Sequence, residues 1–559
     1  MRLRIGFTVL LAIGLVFSQK LFAGTTSISV DTLTNLIDAN AAPFNQIQPG
    51  DTVLFEPGRR DFILIRNFSG AEGYPIVFIN KNGLVTIDTD HYFGISIQNC
   101  RFIRLTGTGS EANFYGFRIT RVQNGAGIGV NDMSSDFEID HVSIENTMIG
   151  GIYAKTDPDC SLAATRDKFT QFNTLLHDNY IANVGDEGMY IGSTKFFGQT
   201  VACNGTDTLL LPALLDGVRI YNNIIRNTGW DGIQVSSASS GCQVYDNLVM
   251  YDSQEEHFGQ MSGIMLGGGS KCDCYNNYIS SGKGSGIESH GLGGYRIFNN
   301  IIVDAGRSYQ PLDTSLMKYG IYVTDISVQA DSAFYILHND IINPKSDGIR
   351  FLSMLSKNNL VASNLVINPG NYDYYENGGT GFNGMDSYIM LPDAEADVTI
   401  KNNYLSRTAE NGGFSAVNYT LLPGSPLIDS AYADSKGIVF DFYHHPRPYG
   451  IAADIGAFEY NPAYLGIPAD APGLTVKPIL FPNPVRTLLN IQYQVDFKTD
   501  VFLDIYNLQG SLVQHVKQVS INAGIHTFKI DVEKYEPGIF LYTIRAANYS
   551  TSGRFIKVN

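Results

Sequence analysis

The stretch YNNIIRNTGWDGIQV, residues 221–235, decides the fold of this chain because the chain keeps repeating it. CYNNYISSGKGSGIES (274–289) and ILHNDIINPKSDGIRF (336–351) follow the same order: an aliphatic or aromatic residue, a variable one, Asn, an aliphatic residue, a turn, then Gly-Ile. The recurring Asn falls at Asn179, Asn223, Asn247, Asn277, Asn300, Asn339, Asn364 and Asn403, and the closest successive copies are 23, 24 and 25 residues apart. That spacing is a solenoid period. Each unit holds short runs rich in Ile, Val and Tyr with no helical periodicity between them, so the coils are strands and turns. One such coil cannot bury its own apolar side. Stacking coils at ~4.8 Å buries a continuous column of Ile and Val and lines like residues up in ladders. Asn at one turn of every coil can hydrogen-bond along its ladder and tolerates left-handed backbone.

This Asn and Gly pattern resembles the right-handed parallel β-helix of pectate lyases, polygalacturonases and their secreted bacterial relatives, over about residues 50–420. QPGDTVLFEPG (48–58) and YPIVFIN (74–80) resemble the opening coils of that group, and SPLIDSA (425–431) with RPYGIAADIGAFEY (447–460) resembles a closing segment. The column with its closing segment is therefore assigned to 24–460. A likeness of this kind speaks for fold and not for reaction. The His444-His445 pair in the closing segment, with Pro446 after it, is expected to form a surface turn.

Both ends of the chain carry signals of export. Residues 1–23 read as a signal peptide: Arg2 and Arg4 are followed by an apolar run, Phe7 to Phe17, too short to span a bilayer, and no later segment is long enough to be transmembrane. Residues 461–478 contain Pro462, Pro468, Pro472 and Pro478 among small residues and read as a linker. From 479 to 559 the character changes to alternating apolar residues with Gly-bounded turns, a small β-sandwich. FPNPV (481–485), VFLDIYNLQGSLV (501–513), YEPGIFLYTI (535–544) and the terminal GRFIKVN resemble, in order, the C-terminal sorting domain of type IX secretion in Bacteroidetes. That resemblance implies passage across the outer membrane, the type IX machinery as a partner, and removal of the domain on arrival. The fold class is all-β throughout, and the location is secreted or the outer-membrane surface.

Composition agrees with a sugar-facing exported protein: 57 Gly, 32 Phe and 32 Tyr, 16% charged residues and a net charge of −16. With no basic stripe to displace counterions from phosphate, nucleic acid is excluded as a partner. Six cysteines lie beyond the signal segment. Cys160 and Cys203 bracket an insertion that a disulfide would staple. Cys242 and Cys272 occupy the same place in adjacent coils, to bond or merely to stack.

Chemistry belongs on the outside of the column. Aligned on the Gly-Ile pair, the residue after Ile points out, which gives the ladder Tyr190, Gln234, Met265, Glu288, Tyr322, Arg350. The residues before Gly give Glu187, Asp231, Ser262, Ser285, Tyr319, Asp347. The distance from Asn to Gly is 9 residues in four coils but 16 from Asn247 to Gly263 and 20 from Asn300 to Gly320. The two long loops should rise as walls on either side of the Gly286 coil, where binding and catalysis concentrate on repeat scaffolds. Its floor would be Lys283, Glu288 and His290. One wall would carry Glu255, Glu256 and His257, and the other Arg307, Tyr309, Asp313 and Lys318.

Two enzyme chemistries and one binding role fit this groove. A lyase acting on uronic acid polymers by β-elimination, slightly favoured, needs a base for the C5 proton and neutralisation of the sugar carboxylate. Its catalytic set would be Glu288, His290, Lys318 and Tyr322, with Trp230, Gln234, Lys283, Arg307, Tyr319 and Arg350 holding the polysaccharide. Calcium is the one cofactor to consider, with Glu255 and Glu256 as ligands. A glycoside hydrolase needs two opposed carboxylates, for which Glu187 and Asp231 in neighbouring coils are the second choice. The third role is a non-catalytic polysaccharide-binding surface protein or adhesin. Neither the paired Asp and G-H-G set of polygalacturonases nor the D-P-H-D set of alginate epimerases is present.

Overall fold

The computed structural model describes residues 26–110, 112–310, 318–370, 384–409, 412–414, 419–461, 478–483, 485–495, 498–508, 511–522, 524–546 and 549–558. The signal segment, Asp313 and most of the linker lie outside them. Among the described residues the chain is strands and turns apart from a short 3-10 turn at Phe44–Gln46 and a single helical turn at Met385–Tyr388.

Three long sheets of 13, 12 and 12 strands wrap one column, and each coil gives one strand to each sheet in turn. Neighbouring strands within these sheets are parallel, as in Ile233↔Ile264 and Ile264↔Ile287. The first sheet runs from Ser27–Val30 to Val398–Lys401, so the column begins ahead of the 48–58 stretch that resembles an opening. Ile181, Ile225, Val249, Ile233, Ile264, Ile287 and Ile321 all point into one apolar core at zero exposure. Alternation puts the next residue outward and supplies the groove.

The Asn ladder is continuous at the corner between the first and second sheets. Asn179 Nδ2 donates to Asn223 Oδ1, and the same bond recurs through Asn247, Asn277, Asn300, Asn339, Asn364 and Asn403 at 2.9–3.1 Å. The left-handed backbone is at the residue before, as at Asn222, Asn276 and Asn299 with φ of 55, 55 and 53°. The ladder Asn themselves therefore serve as hydrogen-bonding spacers: each Oδ1 also accepts the backbone N–H of the preceding ladder Asn.

Cys160–Cys203 is a disulfide and staples an insertion containing the hairpin Gln199–Cys203/Thr206–Leu210. Cys242–Cys272 is bonded across paired positions of adjacent coils. Cys100 and Cys274 are free and buried. The His444-His445 turn is tied down and not free. His444 Nε2, on a side chain 30% exposed, lies 2.8 Å from Asp246 Oδ1 and anchors the closing segment to the column, while His445, 7% exposed, lies beside Asp441 within that segment.

The C-terminal unit is a sandwich of a three-stranded and a four-stranded antiparallel sheet. Its core is separate from that of the column and is built from Leu489, Ile491, Val501, Leu503, Ile505, Phe528, Tyr542 and Phe555. No described helix is long and apolar enough to cross a membrane.

Candidate functional site

The six residues read as an outward ladder are paired in register: Tyr190↔Gln234↔Met265↔Glu288↔Tyr322↔Arg350. Over the middle of this row lies a cleft of about 610 Å³. Gln234, Glu288, His290, Tyr319 and Tyr322 form its base, Glu256, Phe258 and Gln260 line it from one long loop, and Tyr309 and Lys318 line it from the other.

Glu288 is on the strand Ser285–Ser289 and His290 follows it, so both lean the same way from the column. They are not solvated surface groups: their side chains are 12% and 13% exposed, and His290 Nε2 is 3.3 Å from Glu288 Oε2. His290 Nδ1 lies 2.6 Å from the Thr324 hydroxyl. Burial raises the Glu288 carboxyl, but the His290 hydrogen bond and the Lys318 charge outweigh it, and Glu288 falls below the usual carboxylate range. An ionised Glu288 accepts the proton of Nε2, which leaves Nδ1 as the ring nitrogen that faces the Thr324 hydroxyl. The Tyr322 ring meets His290 edge-on at 6.2 Å between centroids. Burial and the Glu288 charge push the Tyr322 phenol up, so it holds its proton.

Other residues singled out from sequence occupy different places. Lys283 is held by Glu256 at 2.5 Å and by the Gln254 carbonyl, below the wall and outside the cleft lining. Arg307 donates to the Asn343 and Asn368 carbonyls and ties neighbouring coils together. Arg350, 9% exposed, pairs with Asp347 at 2.8 Å and lies under the Tyr319 ring. Trp230 stacks on His257 with centroids 4.0 Å apart, bracing the wall loop and not lining the cleft.

Glu187 and Asp231 lie in neighbouring coils but do not face substrate, with exposures of 1% and 0%. With its amide nitrogen turned toward them, Gln234 donates to Glu187 Oε1 at 3.2 Å and Asp231 Oδ2 at 3.3 Å, filling the space a sugar would need. Ser262 donates its N–H and hydroxyl to Asp231 Oδ1. Burial, followed by the Glu187 and Glu288 charges, pushes Asp231 well above the carboxylate range. The pair therefore supports the floor from beneath.

Among the described residues Glu255 and Glu256 do not gather with a third ligand. Among the described residues the grouped donors are Glu138, Asp140 and His177, within 4.8 Å of one another on the outer face of the first sheet. Arg104 there lies 3.2 Å from Glu138 and 2.9 Å from Asp140, which makes the group an ion-pair cluster.

The repeat alignment missed a third side of the cleft. Thr194, Lys195, Phe196 and Phe197 come from the stapled insertion, and Thr324 and Ile326 from the loop after Ile321–Val323. Arg166 holds Phe196 from behind, with its guanidinium carbon 4.3 Å from the ring centroid. Phe197 and Phe258 stand at the rim, 63% and 78% exposed. The signal was the length of the insertion between strands Met189–Ile191 and Arg219–Tyr221, which spacing from Asn to Gly does not count.

The chain matches two families, right handed beta helix region over residues 126–325 and secretion system C-terminal sorting domain over residues 479–558. Residues 126–325 are a right-handed β-helix region. The sorting domain supports export to the cell surface or beyond it. No curated protein matches the chain. Similar solved structures include an alginate lyase from Paenibacillus sp. str. FPU-7, at 13% identity and a TM-score of 0.37 over 58% of this chain and 95% of that one. A PL6 family polysaccharide lyase from Pseudopedobacter saltans is similar at 12% identity and a TM-score of 0.36, over 66% and 92%. The enzymatically active domain of bacteriophage CBA120 tailspike protein 2 is similar at 12% and 0.33, over 91% and 71%.

Proposed function

We propose that this protein is a secreted polysaccharide-degrading enzyme, a lyase that cleaves uronic acid polymers by β-elimination on the Gly286 coil. The observation that supports this most is a histidine held between a carboxylate and a hydroxyl on the cleft floor, with a protonated tyrosine on the adjacent strand. In this reading His290 Nδ1 exchanges the Thr324 hydroxyl for the C5 proton of the sugar, and Glu288 stabilises the imidazolium that forms. Lys318 offsets the sugar carboxylate as negative charge builds beside it. The electron pair forms the C4–C5 double bond, the C4–O bond breaks, and the leaving oxygen takes the Tyr322 proton. Lys318 is the alternative base.

A hydrolase would need a second accessible carboxylate opposite Glu288. Among the described residues Glu256, the other acid lining the cleft, is paired with Lys283, and Glu187 and Asp231 are buried. Calcium at this site would have to take Glu256 from Lys283 and Glu288 from His290, so no step is routed through it. The test is a panel of acidic and neutral polysaccharides with ultraviolet absorbance and reducing ends followed together. A rise in both supports elimination. Reducing ends alone would make the enzyme a hydrolase, and retention on a polysaccharide without either would make it a binder.

A further inference from the structure

Three neighbouring strands of the second sheet, Tyr180–Val184, Ile224–Thr228 and Leu248–Met250, begin with apolar residues on both faces. Ile181, Ile225 and Val249 point into the column, while Tyr180, Ile224 and Leu248, one residue earlier and paired in register, point out. A strand apolar on both faces requires cover on both. Tyr180, Ile224 and Leu248 are only 8%, 1% and 1% exposed, and their cover is the sorting domain: Tyr506, Ile539 and Leu541 join them in one cluster with Phe114 and Tyr115. Farther along the same row Ile301 and Leu365 are covered by Phe414 and Leu421 and by Leu427 and Phe458 of the closing segment. Tyr278 packs against both clusters and marks where the two covers meet.

Polar contacts fix the orientation. The Arg554 guanidinium donates to the Asp246 carbonyl at 2.8 Å, and burial pushes it down to about 10. Asn113 bridges Ser511 through the backbone, and the Tyr443 hydroxyl donates to the Asn483 carbonyl at 2.5 Å. Arg554 belongs to the terminal strand, Tyr549–Lys557, so the docked domain turns part of that strand toward its own column.

We propose that the outward row of the second sheet is a docking surface whose occupant is this chain's own sorting domain, and that the domain stays bound there after the peptide joining them is cut. The inference is independent of the cleft chemistry. Loss of the domain would uncover Phe114, Tyr115, Tyr180, Ile224 and Leu248 as one contiguous patch, which soluble proteins avoid exposing. After cleavage the column and its tail would persist as a two-chain complex.

The experiment places a protease site within residues 462–477 of the full chain, cuts it under native conditions, and follows both pieces by size exclusion and mass spectrometry. The pieces are expected to co-elute at micromolar concentration. Leu541→Asp should raise the Kd between them by at least about 10-fold. Arg554→Glu, which puts a negative charge beside Asp246 and Asp178 without touching the sandwich core, should do the same where Leu541→Asp compromises folding. Separation of the wild-type pieces, each still folded by circular dichroism, would overturn the proposal. So would co-elution that neither variant weakens.

Discussion

Replacing Asn277 by Ala removes the middle of the asparagine ladder, and the structure sets the size of the effect. Its Oδ1 accepts from Asn247 N and Nδ2 at 3.1 and 3.0 Å, and its Nδ2 donates to the Val244 carbonyl at 2.9 Å and to Asn300 Oδ1 at 3.0 Å. At about 1 kcal/mol net for each bond the loss is ~4 kcal/mol. The site has zero exposure, so no water replaces the amide, and the stranded Asn247 N–H adds to the cost. Asn403 at the end of the ladder provides the internal comparison. Its side chain makes three such bonds but is half-buried, within reach of solvent, so Asn403→Ala should cost about 1–2 kcal/mol. A chain with two cores need not unfold in one step, so the measure is the shift of the column transition between the two variants in one background, by circular dichroism in denaturant. An Asn277→Ala variant no less stable than Asn403→Ala would refute the reasoning, because the ladder would then contribute nothing that burial does not.

On the polysaccharide that the panel identifies, His290→Ala and Tyr322→Phe should each lower kcat by about 100-fold or more with the melting temperature unchanged; full turnover in both would remove the cleft from consideration. Glu288→Gln should lower kcat comparably while leaving KM near wild type, because it strips His290 of its charged partner and not the substrate of a contact. Phe197→Ala and Phe258→Ala should instead raise KM by roughly 10-fold with kcat kept; steady-state kinetics showing no change would mean that the rim rings do not meet the sugar. Burial raises the Asp340 carboxyl to about 7 from its ordinary 3.8, while the Ala457 N–H it accepts and Arg447 pull the other way. The folded state therefore keeps a proton that the unfolded chain releases, and stability falls as pH rises across that window, on the order of 4 kcal/mol at ~1.4 kcal/mol per pH unit. Asp340→Asn should remove this slope, and denaturation curves with the same pH dependence in both proteins would exclude it.

The sequence alone determined the column, because a repeat must bury the same face in every coil. Period, ladder and register follow from that constraint, so Asn223 stacks on Asn247 and Glu288 pairs with Tyr322. The two long loops marked the cleft for the same reason: they interrupt the repeat on the two coils that flank the Gly286 coil. Only the tertiary structure decided what each outward residue meets. Arg350 points away from the core, as alternation requires, yet is spent on Asp347, and Arg307 on its long loop is spent on carbonyls of later coils. Glu187 and Asp231 lie on adjacent coils, yet the Gln234 amide closes the gap between them. Phe196 and Phe197 reach the cleft from an insertion outside the repeat, and the sorting domain lies on a row of the column far from it in sequence. Periodicity fixes which way a side chain points. Partners brought in from outside the period depend on how loops and domains pack, and no spacing within the repeat encodes that.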